Sequence, residues 1–194
     1  MQQPDWTIPG TTLQIKRSDA PRVEEMFYTM FMAGDMALGQ VSSITGLEPY
    51  MVQNWVKRGF LTKPEHKRYT RRQLCRIINI NMLKNALPME TICGLLQYVN
   101  GRLEDESDDL IDDAALYFMF VKLAARARHI GGDLEWGEAI RETVADYKEP
   151  VPGARDRVAN VLRIMLTAWI ASSLRHQAED MIAGLEQPRY EGGM

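Results

Sequence analysis

The chain has 194 residues, 45% hydrophobic and 25% charged, with a formal net charge of −3. That length supports one full core, or two small ones sharing an interface, and the hydrophobic fraction excludes global disorder. The longest uninterrupted apolar run, residues 114–121, is far short of the ~20 residues that span a bilayer. Residues 1–10 lack the basic and apolar regions of a signal peptide, so a soluble, cytoplasmic protein is expected. Cys75 and Cys93 sit in apolar, helix-like patterns without a CxxC pair and read as small buried hydrophobes in a reducing compartment.

In chain order, residues 1–18 read as extended and loosely held. Ser18, Asp19 and Pro21 then open a helix carrying Val23, Met26, Phe27, Met30 and Phe31 at helical spacing, and Gly34 stops it. A short helix over about 38–45 turns its Leu38, Val41 and Ile44 inward. Gly46 makes a turn, and Pro49 begins a second short helix whose apolar face is Val52, Trp55 and Val56. Gly59 stands at its left-handed cap position. Phe60-Leu61-Thr62 and Arg68-Tyr69 predict two short strands around a polar loop. Thr70 and Gln73 form a capping box for a helix with Leu74, Ile77 and Ile78 inward. Pro88 opens a further helix, bearing Ile92, Leu95, Leu96 and Val99, that closes at Gly101.

Residues 104–113 are crowded with aspartate and glutamate. They read as a charged linker with helix-capping aspartates, and the domain boundary is placed there. A secondary alternative is that this stretch packs against a neighbour's basic patch. Helices follow over about 113–130, 135–147 and 154–185, separated by Gly131-Gly132 and by the Pro- and Gly-containing residues 150–153. The expected fold is all-α, predominantly helical, with a small β-hairpin wing. Residues 1–35 form an arm and packing helix, 36–100 a winged helix-turn-helix domain, and 101–194 a helical dimerisation or effector domain.

Two short helices joined by a glycine turn, then a hairpin, then a helix, is the order of a winged helix-turn-helix. Its second helix must lock an apolar face onto the first while offering polar residues to the major groove. Tyr50, Gln53, Asn54, Lys57 and Arg58 lie off the Val52-Trp55-Val56 face. Gln and Asn suit adenine edges, and Lys and Arg suit guanine or phosphate. The hairpin would bring Lys63, His66, Lys67 and Arg68 to the adjacent backbone or minor groove, with Arg71 and Arg72 adding phosphate affinity. Between residues 51 and 87, nine basic residues (Lys57, Arg58, Lys63, Lys67, Arg68, Arg71, Arg72, Arg76, Lys84) face Glu65 alone, and nine minus one gives +8 in an acidic protein. Such a run taken alone usually marks a solvated face, but its coincidence with the helix-turn-helix favours nucleic acid. Trp55 reads as a core anchor, and Tyr69 as either packed under the wing or touching a phosphate.

The run Leu38-Gly39-Gln40-Val41, Thr45-Gly46-Leu47-Glu48-Pro49, Val52, Trp55 and Gly59-Phe60-Leu61 resembles the start of MerR-type regulators. Residues 83–92 are similar to the later stretch that leads into the fourth helix of that family, so the resemblance covers about 36–100. It implies a winged helix-turn-helix fold and transcription regulation. The apolar positions of the second helix match and its polar ones, Tyr50, Gln53 and Asn54, mostly do not, so operator sequence and DNA distortion do not transfer. No residue here matches the effector-binding cysteines of MerR proteins. Patterns such as Gln53-Asn54-Trp55, Lys63-Pro64, Lys67-Arg68-Tyr69 and Leu83-Lys84 also resemble a bacterial family of unknown function over most of the chain.

Other chemistries find little foothold. There is no Gly-rich phosphate loop, no Gly-x-Ser-x-Gly elbow and no paired histidine ligands, so neither catalysis nor a cofactor is expected. His66 reads as a solvated wing residue. His129 and His176 stand alone, and no metal is assigned. Leu116, Phe118, Met119, Phe120 and Val121 are apolar all round their helix, which implies burial. The last helix has Val158, Val161, Leu162, Met165 and Trp169 on one face, with Ile164, Ile170 and Leu174 elsewhere. That excess suggests a homodimer through the C-terminal helices, or alternatively a pocket for a small-molecule effector. The expected partner is double-stranded DNA, bound by a sequence-specific regulator. The alternatives are a helical interaction or ligand-sensing module on a winged scaffold, and an excisionase-like DNA-bending protein.

Overall fold

A computed structural model describes residues 6–127 and 136–185. The expected Gly131-Gly132 break and His129 lie outside the described residues. The described chain is predominantly helical, with two small antiparallel strand pairs.

The first pair, β1 (Trp6–Thr7) and β2 (Gln14–Ile15), corrects the expectation of a loose arm. Trp6 and Ile8 are buried. The loop between the strands is held from three sides. The Tyr117 hydroxyl donates to the Pro9 carbonyl at 3.0 Å, Asn81 Nδ2 donates to the carbonyls of Gly10 (2.9 Å) and Thr45 (2.8 Å), and Thr12 Oγ1 donates to Ser43 at 2.7 Å. Gly10 has φ +74°, and a Cβ there would lie 2.7 Å from the Ile78 carbonyl oxygen, so this close approach requires glycine.

A 3₁₀ turn (Arg17–Arg22) leads into α1 (Val23–Met30), which buries Val23 and Phe27. The Phe27 ring meets Phe118 edge-on at 5.5 Å and Tyr117 at 5.7 Å. The strand β3 (Met36–Ala37) follows, with two short helices, α2 (Leu38–Thr45) and α3 (Pro49–Lys57). Then come β4 (Arg68–Tyr69), α4 (Arg71–Leu83) and α5 (Met89–Asn100). The capping box is formed: Thr70 Oγ1 accepts from the Gln73 amide at 3.2 Å, and Gln73 Oε1 accepts from the Thr70 amide at 2.9 Å.

Beyond a short 3₁₀ turn (Glu106–Asp108) lie α6 (Asp113–Arg126), α7 (Trp136–Thr143) and α8 (Ala154–Leu185). Asp112 caps α6, accepting from the amides of Ala114 (2.7 Å) and Ala115 (3.0 Å). As its all-round apolar pattern requires, α6 is the central helix, packed against α1, α4, α7 and α8. One continuous apolar core runs from Trp6 through α4 and α6 to Ile170. The first half of α8 crosses α4, α5, α6 and α7 together, so more than one of its faces is covered. Ile170 is therefore buried beside Val158, Val161, Leu162 and Met165, whereas Ile164 and Leu174 are exposed. Among the described residues, no helix is long and apolar enough to cross a membrane.

Candidate nucleic-acid interface

Gly46, at φ +68°, turns the chain between α2 and α3, with its amide donating to the Ser42 carbonyl at 2.8 Å. Pro49 takes the first helical position after the extended Glu48. The helix ends at Gly59 (φ +75°) in a Schellman arrangement: the Phe60 amide reaches the Trp55 carbonyl at 2.9 Å and the Gly59 amide reaches Val56 at 3.1 Å. Val52 and Trp55 are buried with Val41, Ile44 and Leu47. Opposite them, at one helix face by their i, i+3, i+4, i+7 spacing, stand Tyr50, Gln53, Asn54 and Lys57, all exposed.

The segment over residues 60–69 differs from the expected wing hairpin. Residues 60–62 form no strand, because α4 side chains take their carbonyls: Arg76 Nε donates to Phe60 at 3.0 Å and Gln73 Nε2 to Thr62 at 3.2 Å. The partner of β4 is β3, with Met36 opposite Tyr69 and Ala37 opposite Arg68. Glu65 to Arg68 form a tight turn, closed by the Arg68 amide on the Glu65 carbonyl at 2.7 Å. His66 (φ +46°) and Lys67 (φ +61°) are both left-handed, as a type I′ turn demands, and both are exposed.

Lys57, Lys63, Lys67 and Arg68 are exposed and Arg71 is half-buried. None of the five has a carboxylate within 4.0 Å among the described residues. Arg58 is exposed but pairs with Glu90 at 2.7 Å and lies over the Phe60 ring. Two residues expected at the interface are used elsewhere. Tyr69 is 4% exposed, because the β3–β4 pairing turns its ring into the core. Arg72 points away from the wing into the acidic segment, meeting Asp109 at 2.6 Å, Glu106 at 3.1 Å and Asp113 at 3.8 Å. One turn further along α4, the buried Arg76 reaches Asp113 Oδ1 at 3.3 Å, and Asn79 donates to the Asp113 carbonyl at 3.1 Å.

Glu106, Asp109 and Asp113 of the acidic segment thus meet Arg72 and Arg76 of their own chain. The sequence signal for this was Arg76, a cation placed on the buried side of α4 between Leu74 and Ile77.

Burial pushes the Asp109 carboxyl up to about 6, against the pull of Arg72 and with help from Asp113 and Asp108. Its Oδ1 is buried without a partner among the described residues. A raised folded-state pKa means the fold binds a proton that the unfolded chain, at 3.8, releases sooner. The contribution of Asp109 to stability therefore falls as pH rises from about 4 to about 6 and is flat above. In urea titrations, the stability of wild type minus that of Asp109→Asn should decline over that window by roughly 1–2 kcal/mol, after allowance for solvent screening. A constant difference across it would show that Asp109 titrates like an exposed carboxylate.

A family described as "Domain of unknown function (DUF1836)" matches residues 19–120. The chain belongs to this family. The matched span takes in α1, α2, α3, the Glu65–Arg68 turn, α4, α5, the acidic segment and its contacts with α4, and more than half of α6. The chain is also similar to "Uncharacterized protein YkrK" of Bacillus subtilis (strain 168), at 31% identity over 84 residues, which is 41% of this chain and 36% of that relative. The match thus spans little more than a third of the relative's length. No solved structure matches the chain.

Proposed function

We propose that this protein is a sequence-specific, DNA-binding transcriptional regulator built on a MerR-like winged helix-turn-helix. The observation that carries this reading is the exposed stripe Tyr50, Gln53, Asn54 and Lys57 on α3, with its apolar back locked on α2 and the wing cations Lys63, Lys67 and Arg68 following in the chain. Gln53 and Asn54 are suited to base edges in the major groove. Lys57, Lys63, Lys67, Arg68 and Arg71 supply phosphate affinity.

The same reading includes a homodimer through α8. Beyond residue 173 every described residue of that helix is exposed. Ile164 stands one heptad before Ala171, and Ala171, Leu174, Ala178, Met181 and Leu185 then recur at three- and four-residue spacing, the seam a second helix would cover.

The test is capture of sheared genomic DNA by the purified protein at two salt concentrations, with Arg68→Ala/Arg71→Ala as control. A few enriched fragments that survive moderate salt and vanish with the variant are expected. Uniform retention lost with salt reduces the basic surface to non-specific binding, and no retention at low salt removes the DNA reading.

A further inference from the structure

A cavity of about 250 Å³ opens where α8 crosses the C-terminal end of α4 and the loop through Gly10 and Thr11. No aspartate or glutamate lines it. Most of its polar groups are already bonded within the protein. The Thr11 hydroxyl donates to the Ile8 carbonyl at 2.9 Å, the Ser173 hydroxyl to Trp169 at 2.9 Å, and the Asn81 amide nitrogen to Gly10 and Thr45. Asn85 Nδ2 lies 3.3 Å from His176 Nε2, which places the imidazole proton on Nδ1, 3.1 Å from Glu179.

Three groups are left over. Ser172 is 7% exposed, and its hydroxyl has no partner among the described residues. Lys84 is half-buried, with neither a carboxylate within 4.0 Å nor a hydrogen-bond acceptor among the described residues. Burial holds its ammonium below the ordinary lysine value, so the charge stands partly desolvated with no counter-ion. The Asn81 side-chain oxygen also accepts no bond among the described residues and can take a hydroxyl or N–H. An unpaired cation, an unpartnered hydroxyl and an acceptor in a cavity without lining carboxylates complement a small anion that also carries a hydrogen-bond donor.

We propose that this cavity binds a small organic carboxylate bearing a hydroxyl or amino substituent, with Lys84 as its counter-ion, the Ser172 hydroxyl as a second contact and the Asn81 oxygen accepting from the substituent. The site joins elements far apart in the chain, since Asn81 bonds both the Gly10 loop and Thr45, the residue before the Gly46 turn. An occupant thus bears on the α2–α3 junction and on α8 at once. That this would tune DNA binding rests on the function proposed above, whereas the binding itself does not.

The test is calorimetric titration of the full chain, without DNA, using L-malate, L-glutamate and inorganic phosphate at constant ionic strength. Saturable binding of malate or glutamate at one per chain is expected, weakened roughly tenfold or more in Lys84→Met and several-fold in Ser172→Ala. Should the methionine variant fail to fold, Lys84→Gln takes its place. No saturable heat from any probe at millimolar concentration overturns the proposal. Carboxylate binding that survives loss of the lysine charge, or phosphate binding without carboxylate binding, overturns it equally. Because DNA is absent, each of these failures is separate from failure of the regulator reading.

Discussion

Replacing Arg76 with alanine is expected to lower the stability of the folded chain by about 3–5 kcal/mol, read as a fall in the urea midpoint with little change in slope. The magnitude follows from what is left behind. Asp113 is 1% exposed, and its only other cation among the described residues, Arg72, stands 3.8 Å away and is already shared with Glu106 and Asp109. Removing Arg76 also frees the Phe60 carbonyl, which anchors the first leg of the wing. The double replacement Arg76→Met/Asp113→Leu keeps the volume and removes both charges, so it should recover most of the loss. A cost below about 1 kcal/mol for the alanine variant would mean that water reaches Asp113 and that the pair contributes no more than a surface salt bridge.

On DNA, Gln53→Ala and Arg68→Ala should fail in different ways. With captured fragments in hand, Gln53→Ala should cost about 1–3 kcal/mol at preferred sites, leave non-specific binding intact and flatten the preference among bases. Arg68→Ala should weaken all sites alike and reduce the slope of log affinity against log salt by about 1. Gln53 is exposed on α3 beside Asn54, while Arg68 sits where the wing strand meets β3 and donates to the Asp35 carbonyl at 3.2 Å. Competition binding against matched and scrambled duplexes at several salt concentrations separates the two. Identical behaviour of the variants would remove the division between readout and affinity.

Much of the helical layout was legible because its signals are local. Gly46, Pro49, Gly59 and the Thr70–Gln73 box each act within one turn, and α2 ends, α3 begins and ends, and α4 begins where those residues place them. The length of α8 followed from Gly153 and an unbroken helical pattern. What escaped depends on partners distant in sequence. β1 and β2 are two residues each, and their loop is fixed by Tyr117 and Asn81. Residues 60–62 had strand-like composition, but their carbonyls were claimed by Gln73 and Arg76. The acidic run looked like a solvated linker because nothing local shows that Arg72 and Arg76, one turn apart on α4, point towards it. Within the candidate interface, the α3 stripe could be read from periodicity, whereas the withdrawal of Tyr69 and Arg72 could not. The cavity of Lys84 and Ser172 had no sequence signature, since it exists only where α8 crosses α4.

The turn from Glu65 to Arg68 is held at a conformational cost. Two side-chain-bearing residues in succession, His66 and Lys67, occupy backbone conformations that glycine enters at little cost and others enter at roughly 1 kcal/mol or more each. A wing selected for folding alone would drift towards Asn-Gly or Gly-Gly at these two positions. An imidazole and an ammonium in these two conformations therefore cost the fold stability that glycine would not.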